Sequence, residues 1–476
     1  MAGNNLIGRE AECDRLSACV NAPGAQLAVI YGRRRVGKTF LINEFFNGEF
    51  AFRFTGEFDA PKVSQLHNFA NELFMRTGIR ASVPHDWKEA FLCLRTYLAS
   101  LSSDHRQVVF FDEMPWMDTP NSHFLSEFEY FWNSWGSSQK NLLFVVCGSA
   151  TSWLVDHIDH NKGGLFNRLT CRIYVEPFRL AETEQYLLSR GIHWARYDIC
   201  ECYMIMGGIP YYLSLLDPEQ SYVDNIDRIF FRKHAELWNE FSQLYHTLFS
   251  SSENHIRVVE ALSDKRSGLT REELSEATGL PQNGMLTRIL RSLEGSGFVR
   301  MNPFYGKKKK NIRYQLADHY TLFYFRFLKD AQNKEENYWA HSIGTPSHLV
   351  WAGLSYELLC MEHIRQIKKK LDIAGVLSEQ STWYVRGDEV YDGAQIDLLI
   401  DRRDRVTNLC EIKFSKTEFA IDKDYDRALR NKVETFRRVT GSKNTLVLTM
   451  ITTYGIKENK YSNTVGGRIT MDDLFI

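Results

Sequence analysis

The chain reads as an α/β protein whose first half is built on a parallel sheet, and three observations predict this. Val108–Phe111 and Leu142–Cys147 are continuous apolar runs, the pattern of strands buried on both faces. A third run, Ala28–Tyr31, leads directly into Gly32-Arg33-Arg34-Arg35-Val36-Gly37-Lys38-Thr39, after which Phe40–Phe46 has helical spacing. Stretches of helical periodicity, Glu12–Val20, Val63–Phe74 and Trp87–Leu101, lie around and between the runs, as the crossovers of a parallel sheet require.

The G-x-x-x-x-G-K-T string between a strand and a helix is a phosphate-binding loop. Its glycines let backbone N–H groups curl inward around an anion. Lys38 reaches β- and γ-phosphates, and the Thr39 hydroxyl takes a place on Mg²⁺. Gly32, Arg33, Arg34, Arg35, Val36, Gly37, Lys38, Thr39 and Phe40 are therefore the candidate nucleotide-binding residues. Upstream, Arg9 in Ile7-Gly8-Arg9-Glu10 either packs against the base or sugar or belongs to a helix cap. Phe50–Thr55 alternates around Arg53 as a β-strand does.

Val108–Phe111 ends in Asp112-Glu113, at the strand end where open α/β sheets place ligands. Asp112 is the candidate for the Mg²⁺ shell, and Glu113 for polarising the water that attacks the γ-phosphorus. The next run ends in Gly148-Ser149-Ala150-Thr151, where Ser149 either bonds the γ-phosphate or attacking water or simply turns strand into helix. Arg168, before the β-like Cys171–Val175, is either a charge-stabilising arginine or a surface ion-pair partner.

At 476 residues there is room for about three domains, each with its own core. A hydrophobic content of 44% with 25% charged residues is ordinary for a globular chain. The formal net charge of -1 excludes a global pull towards nucleic acid or anionic membrane, so such affinity has to come from local patches. The nine cysteines include no C-x-x-C pair, which points to reduced thiols in a cytoplasmic protein. The N-terminus lacks the basic-then-apolar pattern of a signal peptide, and no apolar run approaches the roughly 18 residues of a membrane span.

Between 253 and 316 the pattern changes. A helix over His255–Leu262 precedes a second helix opened by a Thr270–Glu273 capping box and closed by Gly279. A third, Gln282–Ser296, buries Leu286, Ile289, Leu290 and Leu293 and presents Gln282, Asn283, Thr287, Arg288 and Arg291. Two strand-like segments, Phe298–Phe304 and Asn311–Leu316, flank a tip containing Lys307, Lys308, Lys309 and Lys310. Three helices and a basic-tipped hairpin make a winged helix. Its partner is DNA phosphate or, as in many such modules, protein.

After an aromatic helix (Tyr320–Asp330) and a polar linker comes a long helix, Ser347–Lys370, carrying Glu357. Strands Gly393–Ile400 and Asn408–Phe414 follow, then a helix Asp424–Val439 and a strand Asn444–Met450. Glu411 and Lys413 are two apart and share a strand face, and Asp397 joins them if the two strands pair. Two carboxylates, Asp397 and Glu411, can hold Mg²⁺, and Lys413 can orient or deprotonate a water for phosphodiester attack. Surface charges on an amphipathic strand would give the same string.

The order of Ile7–Glu10, Tyr31–Thr39, Phe111-Asp112-Glu113, Cys147–Ala150 and Gly207–Leu213 resembles the archaeal-type ATPases of the AAA-like P-loop class, also widespread in bacteria. By that resemblance Gly207-Gly208-Ile209-Pro210 belongs to a helical lid; from the residues alone it is a helix stop and a turn. The D…E-x-K arrangement resembles the PD-(D/E)xK nuclease fold, and its segment is similar to a domain of unknown function that often follows this ATPase. The resemblance implies Glu357, Asp397, Glu411 and Lys413 as nuclease-like residues with Gln395 near them, although Ile396 stands where a proline is usual. The loop and the acidic strand end call for ATP and Mg²⁺ as cofactors, the lysine tip for DNA as partner, and Arg168 leaves open whether it acts within its own subunit or across a homo-oligomer interface. The expected domains are a P-loop ATPase with helical lid over 1–250, a winged helix over 251–330 and a PD-(D/E)xK-like α/β domain over 331–476. The alternative is a nucleotide-switched regulator whose last domain is catalytically inactive.

Overall fold

A computed structural model describes residues 6–80, 82–102, 104–149, 151–154, 168–249, 251–265, 267–303, 305–306, 312–330, 337–387 and 393–476. The chain divides into two compact units, one formed by Met1–Pro177 with His246–Ser250 and the other by Phe178–Tyr245 with Ser251–Ile476. Among the described residues no helix is long and apolar enough to cross a membrane.

The first unit contains a five-stranded parallel sheet of order β2-β3-β4-β1-β5. Its strands are β1 (Gln26–Tyr31), β2 (Phe52–Thr55), β3 (Gln107–Asp112), β4 (Leu142–Gly148) and β5 (Cys171–Tyr174). Every residue of β4 is buried, as its unbroken apolar run requires of a central strand. Helices α1 (Glu10–Asn21), α2 (Lys38–Phe45), α3 (Lys62–Thr77), α4 (Trp87–Ser100) and α5 (Phe124–Ser134) complete the unit's main elements. One face of the sheet carries an aromatic core in which Phe91 stacks on Phe131 at 5.2 Å and Phe111 meets Phe144 at 4.9 Å. Parallel register sets Tyr31 opposite Gly148 and Phe111 opposite Val146. The carboxyl ends of β1, β3 and β4 therefore lie side by side, and all three chemical motifs share one edge.

In the second unit, residues 178–245 are helical. Helix Arg196–Met206 is buried from Ile199 to Met206, and Gly207 closes it with a left-handed φ of 65° and an N–H donated to the Tyr203 carbonyl at 2.7 Å. Gly208 also has positive φ, and a Cβ there would lie 2.0 Å from the Phe178 carbonyl oxygen, so the Gly-Gly-x-Pro string is a required turn.

Helices Ser252–Ser263, Arg271–Thr278 and Gly284–Gly295 precede an antiparallel pair, β6 (Val299–Asn302) and β7 (Arg313–Leu316). The capping box is present: Thr270 accepts from the Glu273 N–H and Glu273 from the Thr270 N–H. The third helix starts at Gly284, two residues later than its periodicity suggested. Asn283 is its cap, with the side-chain oxygen accepting from the Met285 N–H at 2.8 Å.

The remainder carries a mixed sheet of order β12-β11-β10-β9-β8. These strands are β8 (Ser378–Val385), β9 (Ala394–Arg402), β10 (Val406–Lys413), β11 (Thr445–Thr452) and β12 (Gly467–Thr470). β9 and β10 pair antiparallel, β10 and β11 parallel. The edge strands β8 and β12 escape the sequence pattern, one because seven of its eight residues are polar or half-exposed, the other because it has four residues. The helix expected over Ser347–Lys370 is two helices, Pro346–Glu362 and Ile364–Lys370. The break falls at His363, whose ring bonds the Leu359 carbonyl (2.8 Å) and accepts the Leu180 N–H (3.1 Å). Burial lowers this imidazole to about 4 and keeps it neutral.

The β6–β7 hairpin is packed on this sheet. Arg313 donates to the Tyr384 hydroxyl of β8 at 3.1 Å and lies over its ring, and Tyr305 packs on Phe436 at 5.0 Å in the same apolar cluster as Trp383.

Candidate functional site

The phosphate-binding loop takes its shape from two close constraints. Gly32 has φ 147° and a Cβ there would sit 2.3 Å from the Val175 carbonyl oxygen, so only glycine lets β1 leave the sheet beside β5. Gly37 is left-handed at φ 88° and starts α2, and Arg35 between them is also left-handed at φ 71°. Lys38 is buried and donates to the carbonyls of Gly32 (3.0 Å) and Arg33 (2.9 Å), across the loop it belongs to. Arg9 is buried as well, and its guanidinium donates to the Val36 carbonyl at 3.1 Å. Its side chain thus braces the loop from outside, while the residue itself is the N-cap of α1. Arg33 is buried, Arg34, Arg35 and Val36 line the loop, and Phe40 is 52% exposed on the first turn of α2.

The Thr39 hydroxyl meets both Asp112 oxygens, at 3.1 and 2.9 Å. Burial, then the neighbouring Glu113 charge, push the Asp112 carboxyl above its ordinary value, while Thr39 and Arg53 pull the other way. Arg53 of β2 approaches Asp112 at 4.0 Å, a contact that adjacent strands β2 and β3 create and sequence spacing alone does not reveal. Glu113 is a non-glycine residue at φ 49°, a backbone state worth about 1–3 kcal/mol of strain that turns its side chain away from the line of β3. Its Oε2 accepts from Ser149 twice, from the backbone N–H at 3.0 Å and the hydroxyl at 2.9 Å. Lys38, Thr39, Asp112, Glu113 and Ser149 are therefore gathered at one edge. Arg168 is exposed in the turn before β5 and is not among the side chains this network joins.

The C-terminal cluster also forms, with additions. Continuing the β9–β10 register sets Asp397 opposite Glu411, and Asp397 accepts the Ile412 N–H at 3.1 Å. Glu411 is buried and both its oxygens are engaged. One meets Lys413 (3.0 Å) and the Tyr425 hydroxyl (2.9 Å), and the other meets Lys432 (2.6 Å). Burial alone would raise the Glu411 carboxyl, but Lys432 and Lys413 hold it below its ordinary value. Tyr425 and Lys432 come from the helix Lys423–Thr440, seven residues apart and so on one face. That spacing was a visible signal, but nothing local says which strand the face meets. Glu357, Gln395 and Asp397 line a separate small cavity of about 10 Å³, shared with Gln315 and Ser267. Among the described residues no group of three or more His, Cys, Asp or Glu side chains is placed to hold a metal ion.

Of the residues expected to meet DNA, Gln282, Asn283, Arg288 and Arg291 are exposed and Thr287 is half-exposed. Asn283 uses its side-chain oxygen on the helix cap, accepting from the Met285 N–H (2.8 Å), and its carbonyl accepts from Arg271 (2.8 Å). Lys307, Lys308, Lys309 and Lys310 lie outside the described residues.

Residues 6–216 match a family described as an ATPase domain predominantly from Archaea. An uncharacterized protein of Methanocaldococcus jannaschii is 22% identical over 438 residues, 90% of each chain. Among solved structures, the Walker-type ATPase of Pyrococcus abyssi is similar with 15% identity and a TM-score of 0.49, over 68% of this chain and 98% of that one. The Aeropyrum pernix ORC2 protein is similar with 14% identity and a TM-score of 0.43, over 70% of this chain and 95% of that one. By its family match, its loop and its parallel sheet, the segment 6–216 is a P-loop ATPase domain of the archaeal type.

Proposed function

We propose that the protein hydrolyses ATP in its first domain and uses the nucleotide state to govern contact with DNA through a winged helix at 251–330. The residues 331–476 then act on the same polynucleotide through a PD-(D/E)xK-like site. The observation that carries the reading is the joining of Thr39 to Asp112 and of Ser149 to Glu113 at the loop edge. When bound, Mg²⁺ supplies charge neutralisation at the phosphate oxygens, and a hydroxyl beside one carboxylate, Thr39 and Asp112, fits its usual protein donors. Lys38 binds the β- and γ-phosphate oxygens in exchange for the loop carbonyls it now contacts. Glu113 orients the attacking water while Ser149 fixes its carboxylate. Arg168 acts on the transferring phosphoryl group from its own subunit or across an oligomer interface. Mass photometry with a non-hydrolysable analogue separates these two.

In the last domain Lys413 and Lys432 are suited to phosphate oxygens, and Asp397 and Glu411 to a divalent cation. Incubating the protein with plasmid and Mg²⁺, with and without ATP, tests this. Nicking that disappears in Lys413→Ala supports cleavage. A second reading, a nucleotide-switched binder, is favoured by the engagement of both Glu411 oxygens by two ammonium groups and a phenol. Its signature is tight binding with the plasmid intact in both proteins.

A further inference from the structure

Helices α4 and α5 leave a groove between them that takes no part in the nucleotide chemistry. They run side by side in the same direction, because their contacts advance together along both helices. Trp87 meets Phe124 at 4.8 Å, Phe91 meets Phe131 at 5.2 Å, and the Arg95 guanidinium lies over the Trp135 ring at 5.9 Å. Over these rings lies a cavity of about 460 Å³, within the roughly 300–1,000 Å³ of small-molecule sites. Its floor is apolar, made by the buried Phe91, Phe131 and Trp135. Its banks are Leu92 of α4, 59% exposed, and Tyr130 of α5, 64% exposed. A single exposed apolar side chain is ordinary, but one on each side of an aromatic floor makes a continuous apolar surface.

The charges are divided between the two ends of the groove. Asp86, Glu89 and Glu127 stand where the helices begin, and each is already answered there. Asp86 accepts the Glu89 N–H at 2.9 Å, and Glu89 accepts the His85 N–H at 2.8 Å. Glu127 lies in the first turn of α5, where the helix dipole favours a carboxylate. Lys88 shares this end. Arg95 stands two turns further along α4, about 10.5 Å beyond Lys88, at the end where Ser134 and Trp135 line the cavity. Among the described residues no carboxylate pairs with Arg95.

We propose that this groove binds a small planar aromatic carboxylate. Its rings pack on Phe91, Phe131 and Trp135 between Leu92 and Tyr130, and its carboxylate accepts from the Arg95 guanidinium. The polarity of the groove sets the direction of the ligand, since the reversed molecule brings its carboxylate to three acidic side chains. An aromatic cation gains less, because those three carboxylates are engaged by the helix starts and Arg95 repels it. Spread over its length, the cavity has a cross-section of about 45 Å², roughly half that of an α-helix 10–12 Å wide, so a flat ring enters where a partner helix does not.

The test uses the full chain with 2-naphthoate as probe, read by equilibrium dialysis. One equivalent per chain should bind saturably. The neutral 2-naphthamide, which keeps the rings and loses the charge, should bind at least tenfold more weakly. Arg95→Gln should weaken naphthoate at least tenfold while changing naphthamide less than twofold, and Tyr130→Ala should weaken both. Because the contrast between the two probes is read on wild-type protein, a poorly folding variant leaves the test intact. Absence of saturable naphthoate binding, equal affinity for the two probes, or full naphthoate affinity in a folded Arg95→Gln overturns the proposal. So does a wild-type dimer in mass photometry that Leu92→Asp dissociates, since a second copy then occupies the groove.

Discussion

Lys432→Met keeps the side-chain stem and removes one of the two ammonium groups on Glu411. Glu411 has a side chain only 5% exposed, whereas those of Lys432 and Lys413 are 24% and 30% exposed. Stripping a buried charge of all its partners costs about 3–5 kcal/mol. Because Lys413 and Tyr425 remain, the loss here should be about 1–2 kcal/mol, a factor of roughly 5–30 in the local opening equilibrium. Hydrogen exchange of the amides of β10 and of Lys423–Thr440 reads this directly, without asking the whole chain to unfold in one step. The pH dependence has a definite sign. The folded-state carboxyl is depressed, so its stabilisation is complete above the unfolded value of about 4.3 and is lost as pH falls through the lower folded value. The gap between wild type and Lys432→Met should thus hold from pH 7 to about 5 and narrow only in more acidic buffer. In a double-mutant cycle with Glu411→Gln, the coupling should be about 1–2 kcal/mol. A coupling under about 0.5 kcal/mol, or a gap that already closes between pH 7 and 6, would refute the electrostatic account.

Lys38→Ala should abolish phosphate release from ATP, while Glu113→Gln should keep nucleotide affinity and lose at least about a hundredfold in turnover; turnover retained in Lys38→Ala removes the site assignment. Gly32→Ala should destabilise the first unit by more than about 3 kcal/mol, because its Cβ meets a backbone carbonyl at 2.3 Å. Gly37→Ala has nothing within 4 Å and bears only backbone strain, about 1–3 kcal/mol, so thermal melts should rank the two in that order. If 251–330 contacts DNA phosphates, Arg288→Ala and Arg291→Ala should each reduce the slope of log affinity against log salt by about 0.9. Slopes equal to wild type in both would assign that face to another partner.

The loop was legible because its chemistry is local: glycine, lysine and threonine act within eight residues, between a strand and a helix that each announce themselves. Strands β3 and β4 were equally plain, since burial on both faces leaves an unbroken apolar run. What escaped depends on contacts between distant segments. Arg53 reaches Asp112 only because β2 and β3 are neighbours, and Lys432 reaches Glu411 only because one helix face settles over β10. His363 interrupts a helix whose periodicity continues through it, because both ring nitrogens have partners, one of them 183 residues away. The helices of 178–245 carry no chemical motif beyond their glycine turn. Their burial, complete from Ile199 to Met206, is set by packing within the second unit.

The seating of the β6–β7 hairpin on β8 has a mechanical consequence. Arg313, at once hydrogen-bonded to and stacked on Tyr384, and Tyr305, wedged against Phe436, rivet the hairpin to the rim of the C-terminal sheet. Any ligand that grips the hairpin therefore has hold of a handle: traction on it is delivered to β8 and, through the β8–β9 ladder, to the strand bearing Asp397.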